Sequence, residues 1–457
     1  MVATLLSALA GLLLSFAYEP VGQWWIAPIA LAIHMYAINK SKHSILSAFI
    51  FSVVTNAIAL HWSSTFVGSL PWIILAIGLS LFYLPLALVS RWGITSYPLI
   101  FLLLEELRNH FPFGGFGWMR LAYTQPDAPY SQMAAVGGSA ALSAVVLLIG
   151  LFLFFTTQQR FSLIPIIPII LIFIPIQLQT VGTTTALMIQ GNVPEYGLDF
   201  NSRAKAVFNN HLKLTQDEIK KNSDVDFILW PENAVDVDPF IDQNKDVFDK
   251  LNSIEQPLII GAVLGKGNKL LNTSIYWDKA LPQVYIKQHL TPFGEYVPLR
   301  SFARVVSPLV DRVKDFEPGD GANSRFVISD AIIAPVICFE LIDDAILQNA
   351  ASKSNLLAVQ TNSATFGMSA ESAQQLSITR VRAIEHGRNV VSVSTTGYSA
   401  VIDYKGNVLE KTSMGTAESI RTDIDLIEGK TPRDKFGDWS LAGTIFLLFL
   451  VSRRAYR

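Results

Sequence analysis

Three short clusters in the second half of the chain hold side chains able to do covalent chemistry. Ala331–Glu340 (AIIAPVICFE) is an apolar run ending in Cys338, the only cysteine among 457 residues, with Phe339 and Glu340 directly behind it. A thiolate is a strong nucleophile; a neighbouring ammonium lowers the thiol pKa and a carboxylate can take its proton. Trp230-Pro231-Glu232-Asn233 supplies such a carboxylate, placed directly after the apolar stretch Asp226–Trp230. A carboxyl at the end of a buried strand is partly desolvated, which raises its pKa and suits it to proton transfer near neutral pH. Tyr285–Pro298 (YIKQHLTPFGEYVP) adds Lys287 and Glu295. A buried lysine near two carboxylates stays charged and can stabilise an oxyanion on a reacting carbonyl. Each cluster also has a plain structural reading: a small core hydrophobe, a helix cap, an exposed strand-end lysine. A nucleophile, a base and a cationic stabiliser thus stand each at the C-terminal end of an expected strand, and their joint appearance in this order is specific.

The elements that must position these residues follow from the pattern after Thr185. Strands are expected at Ala186–Asn192, Asp226–Trp230, Pro257–Val263, Thr273–Trp277 and Gln283–Lys287, then at Phe326–Ser329, Ile332–Cys338 and Leu356–Thr361. Two last strands are expected around Val390–Ser394 and Ala400–Asp403. Helices are expected over Ser202–Lys220, Lys245–Leu251, from Asp343, and over Glu371–His386. Alternation of this kind predicts an α/β unit with helix-covered sheets. Pro335 inside the cysteine strand points to an edge position or a bulge.

The first part of the chain differs in kind. Overall 51% of residues are hydrophobic and 16% charged, and charges are sparse between Val2 and Pro175. Candidate membrane spans are roughly 2–18, 24–39, 44–62, 70–90, 93–109, 131–156 and 161–178, with an eighth over Asp438–Ser452. The division expected is a seven-helix membrane domain over 1–180, a soluble domain over 185–433, and a final helix with a short basic tail over 438–457. With the N-terminus inside, cytoplasmic loops and tail hold Lys40, Lys42, Arg91, Arg160, Arg453, Arg454 and Arg457, against Arg108 and Arg120 outside. That bias places both termini in the cytoplasm and the soluble domain on the extracytoplasmic face. The aromatic loop His110–Tyr130 fits an interfacial belt, and Glu105, Glu106 and Arg108 fit snorkelling at a helix end. A net charge of −2 with no basic stripe argues against a nucleic-acid partner. A lone cysteine permits no internal disulfide, and the histidines show no metal-ligand spacing.

Glu232 in WPE, Lys287 in YIKQHLTPFGE and Cys338 in CFE resemble the catalytic triad of the nitrilase superfamily of carbon–nitrogen hydrolases. QGNVPE at Gln190–Glu195 and RVRAIEHGRNVV at Arg380–Val391 extend the likeness. With its flanking spans the whole chain resembles the bacterial apolipoprotein N-acyltransferases, as do Ser15–Pro20 and the loop GFGWMRLAYTQ. The resemblance implies a multi-pass α-helical membrane domain joined to an α-β-β-α nitrilase-like sandwich, a monomer of the bacterial inner membrane working without metal or cofactor. It implies an acyl chain taken from a membrane phospholipid as a Cys338 thioester and passed to the α-amino group of a diacylglyceryl-cysteine on an apolipoprotein. Glu295, Phe339 and Glu340 are expected to support the triad, Glu295 and Glu340 by holding Lys287 and the base. Trp118, Tyr123, Thr365 and Phe366 are candidates for substrate contact. Phe339 and Thr365 depart from the tyrosine and tryptophan common in the family. A membrane-tethered amidase or nitrilase, and a non-catalytic lipid-binding scaffold of the same fold, are the competing readings.

Overall fold

The computed structural model describes residues 1–159, 163–193, 195–197, 205–279 and 281–455. The chain divides into a helical unit, residues 1–176 with 431–457, and an α/β unit, residues 177–430.

In the helical unit α1 (Val2–Ser15), α2 (Ile26–Lys40), α3 (Ser44–Ala59), α4 (Ser69–Leu81), α5 (Val89–Trp92), α6 (Tyr97–His110) and α7 (Met133–Thr157) follow one another. Among the described residues two segments, Ser69–Trp92 and Met133–Thr157, are long and apolar enough to cross a bilayer; α1 and α3 are shorter apolar helices. The expected seventh span is not an α-helix. Residues Ile164–Phe173 wind as a 3-10 helix carrying Pro165 and Pro168, and a strand is already under way at Leu178. Prolines lack the N–H that an α-helix interior needs. Arg160 lies outside the described residues, as does Arg457.

Glu105 and Arg108 do not snorkel: both are buried and tie the aromatic loop to α6. Glu105 accepts hydrogen bonds from Ser143 Oγ (2.8 Å) and the Leu121 amide (2.7 Å), and Arg108 donates to the Met119 carbonyl (2.7 Å). Buried charges of this kind need such partners. Trp118 and Tyr123 are buried within this unit, Trp118 against Trp62, whereas Phe111 and Phe113 are exposed. Helix α7 is broken at Gly137 and Gly138 (φ 77° at Gly138). Carbonyls released there are taken up by Trp439 Nε1 on Val136 (3.0 Å) and Ser440 Oγ on Gly137 (2.7 Å), as broken helices require.

The α/β unit contains two six-stranded sheets. The first is built from β1 (Leu178–Gln190), β2 (Phe227–Leu229), β3 (Leu258–Lys266), β4 (Lys269–Trp277) and β5 (Gln283–Ile286). The second runs β6 (Phe326–Ile328), β7 (Ala331–Ile337), β8 (Leu356–Thr361), β9 (Val390–Ser394), β10 (Ala400–Ile402) and β11 (Val408–Lys411). The last strand, β12 (Glu418–Gly429), returns to the first sheet and pairs antiparallel with β1 from Leu178↔Gly429 to Gln190↔Glu418. Neither β11 nor β12 is expected from the sequence. β12 alternates Ile420, Ile424 and Leu426 inward with charged residues outward, the pattern of a half-exposed edge strand.

Inner faces of both sheets meet in one core, with Met188, Phe227, Leu229 and Ile259 from the first and Ile333, Ile337, Ala358 and Val391 from the second. Helices α8 (Ala206–Lys221) and α9 (Lys245–Asn252) cover the outer face of the first sheet through Phe208, Leu212, Val247 and Leu251. The expected start of α8 at Ser202, and Pro194 of QGNVPE, lie outside the described residues. A short helix α10 (Arg300–Val306) follows β5, and α11 (Asp344–Ser352) and α12 (Ala370–His386) follow β7 and β8. Parallel pairs β1–β2–β3 and β7–β8–β9, joined through these helices, give the nitrilase-like sandwich. Pro335 pairs with Ala358 on one side, while β6 stops level with Ile333, so the strand is locally an edge at the proline. The chain then re-enters the helical unit through α13 (Pro432–Phe436) and α14 (Trp439–Ala455).

Candidate active site

Glu232, Lys287 and Cys338 are brought together at the strand ends of the α/β unit. Glu232 leaves β2 through Pro231, and its backbone is fixed on both sides. Gln360 Nε2 donates to the Trp230 carbonyl (2.6 Å) and Thr395 Oγ1 to the Glu232 carbonyl (3.2 Å). Gly261 of β3 lies so close beneath this turn that a Cβ there would collide with the Pro231 carbonyl and the Glu232 Cα. Only a residue without a side chain allows this approach.

Lys287 is just past the end of β5 and is 1% exposed. Its Nζ contacts Glu232 Oε1 at 3.2 Å and Glu295 Oε2 at 2.9 Å. Burial opposes its charge, but Glu232 and Glu295 more than offset that, and the lysine pKa is raised. Asn272 on β4, which nothing in the sequence singles out, bridges the two carboxylates: its Nδ2 donates to Glu232 Oε1 (2.7 Å) and Glu295 Oε1 (2.6 Å). Glu295 is held in turn by the Thr291 amide (2.7 Å). For Glu232, burial outweighs the opposing Lys287 charge and raises its pKa above the ordinary carboxylate range.

Cys338 sits where β7 ends and a 3-10 turn begins, with φ at 48°. A left-handed conformation is costly for a side chain with a Cβ. The turn is imposed by Glu340, whose Oε2 accepts from the Ile337 amide (2.7 Å). Its other oxygen accepts from the Gln288 amide (2.6 Å) and Tyr285 Oη (2.8 Å). Glu340 therefore does not hold Lys287 directly; it fastens the strand end bearing Lys287 to the strand end bearing Cys338. Burial pushes its carboxyl up to about 7. The nearby ammonium lowers the thiol pKa, as expected, but does not prevail. Burial and the Glu232 charge push its pKa well up, and Lys287 only partly offsets them. The resting group is thus a thiol that needs a base.

Phe339 is buried and meets the His289 ring edge-on at 5.3 Å; His289 Nδ1 in turn contacts Asp343 Oδ2 (2.9 Å). Thr365 and Phe366 lie half-buried in the short turn Ala364–Phe366 between β8 and α12. Trp118 and Tyr123 belong to the helical unit. Two further residues approach the cysteine from α12. Gln375 Nε2 is 3.5 Å from Sγ, and Glu371, one turn earlier, is buried and couples electrostatically to the thiol.

Residues 10–152 match the family model described as the apolipoprotein N-acyltransferase N-terminal domain, and residues 186–431 match the carbon-nitrogen hydrolase model. The chain is 32% identical to the apolipoprotein N-acyltransferase of Mycolicibacterium smegmatis, over 93% of this chain and 80% of that protein. It is 26% identical to the one of Photobacterium profundum, over 99% and 96%. Among solved structures, Saccharomyces cerevisiae Nit3, a member of the nitrilase superfamily, is 15% identical with a TM-score of 0.40, covering 54% of this chain and 91% of that one. Both halves of the chain thus match in order, and the chain belongs to the apolipoprotein N-acyltransferase family, with a carbon–nitrogen hydrolase domain as its α/β unit.

Proposed function

We propose that the α/β unit transfers an acyl chain in two stages through a thioester on Cys338. In the first, Glu232 takes the thiol proton as Sγ attacks an ester carbonyl of a membrane phospholipid. Lys287 and the backbone N–H after Cys338 stabilise the tetrahedral oxyanion, and Glu232 returns the proton to the departing lysophospholipid alkoxide. In the second, the α-amino group of a diacylglyceryl-cysteine on an apolipoprotein attacks the thioester. Glu232 moves a proton from nitrogen to the leaving sulfur, and an amide results. The observation that supports this best is the Lys287 ammonium clamped between Glu232 and Glu295 near the Cys338 thiol. That arrangement supplies a base, a cation and a nucleophile.

A membrane arrangement suits both substrates, since their acyl chains keep the reacting carbonyl near the bilayer. In this reading the helical unit spans the bacterial inner membrane several times, both termini are cytoplasmic, and the α/β unit stands on the extracytoplasmic face. The deciding experiment uses the full chain and a phospholipid labelled in its acyl chain. The expected result is a hydroxylamine-labile label on the wild type and none on Cys338→Ala. An unlabelled, folded wild type sinks the acyl-enzyme. A thioester that decays in lipid alone, without any amine, assigns the chain to the hydrolases instead.

A further inference from the structure

Glu371 is the buried acid that the two-stage scheme leaves unused. It opens α12, where Ser369 caps the helix and accepts from its amide, and it is 2% exposed. Gln375 is four residues further on, hence on the same helix face, and its Nε2 reaches Cys338 Sγ at 3.5 Å. Oε2 of Glu371 is buried with no hydrogen-bond partner, and Glu371 forms no ion pair among the described residues. The titratable groups that act on it are Glu232, from the turn after β2, and Cys338, from the turn after β7. A helix N-terminus favours a charged carboxylate, yet here burial prevails and pushes the carboxyl up to about 8. A buried acid with one oxygen unpaired, on the helix face that meets the nucleophile, calls for an explanation, and a catalytic role is one.

Resting on the two-stage reading, we infer that Glu371 is a catalytic residue of the second stage, which receives the acceptor's α-ammonium group and takes the proton that must leave before nitrogen can attack. An α-amino group has a pKa of about 7.7–8.0 and therefore reaches a neutral site mostly as R–NH3+. Forming the amide and regenerating the thiol removes two protons from that nitrogen. Glu232 carries one of them to sulfur. Glu371 is an acid at rest and gives its proton to water as the ammonium enters; the carboxylate so formed takes the other proton from R–NH3+, giving R–NH2 and the acid again, and a dry site favours this neutral pair over two buried charges. The amine is thereby delivered beside the thioester as a nucleophile. Phospholipid carries no such demand in the first stage.

The test separates the stages in single-turnover measurements on the full chain. Thioester formation is followed from vesicles of acyl-labelled phosphatidylethanolamine. Its discharge is followed with a synthetic diacylglyceryl-cysteine peptide bearing a free α-amino group. Glu371→Gln is expected to form thioester within about threefold of wild type while transfer at pH 6.5 slows about 100-fold or more, the general range for a lost proton acceptor. The deficit should shrink as pH rises past about 8, where the acceptor arrives already deprotonated. Glu371→Asp, which keeps the acid, should recover much of the transfer. Unchanged transfer by Glu371→Gln across the pH range overturns the proposal. So does an equal slowing of both stages in both variants, which marks a packing role. A wild type that forms no thioester defeats the two-stage reading itself, whereas a normal thioester with no pH-dependent defect in Glu371→Gln defeats only this inference.

Discussion

Among the described residues Lys287 is the cation set against Glu232 and Cys338, and its charge pulls down the pKa of both groups against burial that pushes them up. Replacing it with methionine removes that opposing charge and leaves the Asn272 hydrogen bond against burial at Glu232. Lys287→Met should therefore move the rising limb of the pH–rate profile for thioester formation to higher pH. It should also cost on the order of 100- to 1000-fold in rate through the lost oxyanion partner. Stopped single-turnover rates across pH would show both effects; an unshifted limb would mean that Lys287 acts only on the oxyanion. The three principal residues were legible because each closes an apolar stretch, a place where strand ends converge. Asn272 was not, because a polar residue in Lys269–Trp277 is what any half-exposed strand carries. Glu371 was hidden differently: an acid in a helix's first turn is the ordinary dipole partner, and only the fold reveals that it is buried.

Two turns hold the site together, and each offers a substitution away from the reacting atoms. Glu340 accepts from the Ile337 and Gln288 amides. In Glu340→Gln the side-chain NH2 must face one of these donors, leaving it unsatisfied at a cost of about 1–3 kcal/mol. Thermal unfolding should register that loss. Wild-type Glu340 also confers a pH dependence that the variant lacks. Its folded pKa of about 7 lies above an unfolded value of about 4.3. The associated stability is therefore complete below about pH 4 and is lost as pH rises through 7. Gly261→Ala drives a methyl group into the Pro231–Glu232 backbone. It should lower the rate of thioester formation by displacing the base while leaving phospholipid binding intact, read as a fall in kcat with KM unchanged. At this scale the sequence marked most strands and helices within a residue or two, because their apolar runs are buried on both faces. It missed β12, whose Arg421, Asp423 and Asp425 read as loop, and it took the proline-bearing 164–173 stretch for a span.

For the whole molecule, the orientation rests on loop charge and is open to direct measurement. Lys42 and Lys353 are both exposed, the first in the helical unit and the second in the α/β unit. In a Cys338→Ser background, which is free of cysteine, Lys353→Cys should react with a membrane-impermeant maleimide added outside intact cells. Lys42→Cys should react only after permeabilisation, and the reverse pattern would invert the proposed topology. Two-part organisation was plain from the sequence, since charge density changes abruptly near residue 180. The helical unit's internal breaks were less so: the Gly137–Gly138 interruption sits inside a stretch that hydropathy alone reads as one continuous helix.

The pairing of β1 with β12 also dictates when the enzyme can exist during synthesis. β1 is the first strand of its unit to leave the ribosome and β12 the last, so Leu178–Gln190 keeps a raw edge throughout translation of everything between them. An unpaired edge invites pairing with any other extended chain. Only when Gly429 has emerged can the sheet close, and α14 begins soon after, at Trp439. Premature termination before Glu418 therefore leaves Leu178–Gln190 with an open edge, an aggregation-prone nascent chain rather than a shortened enzyme.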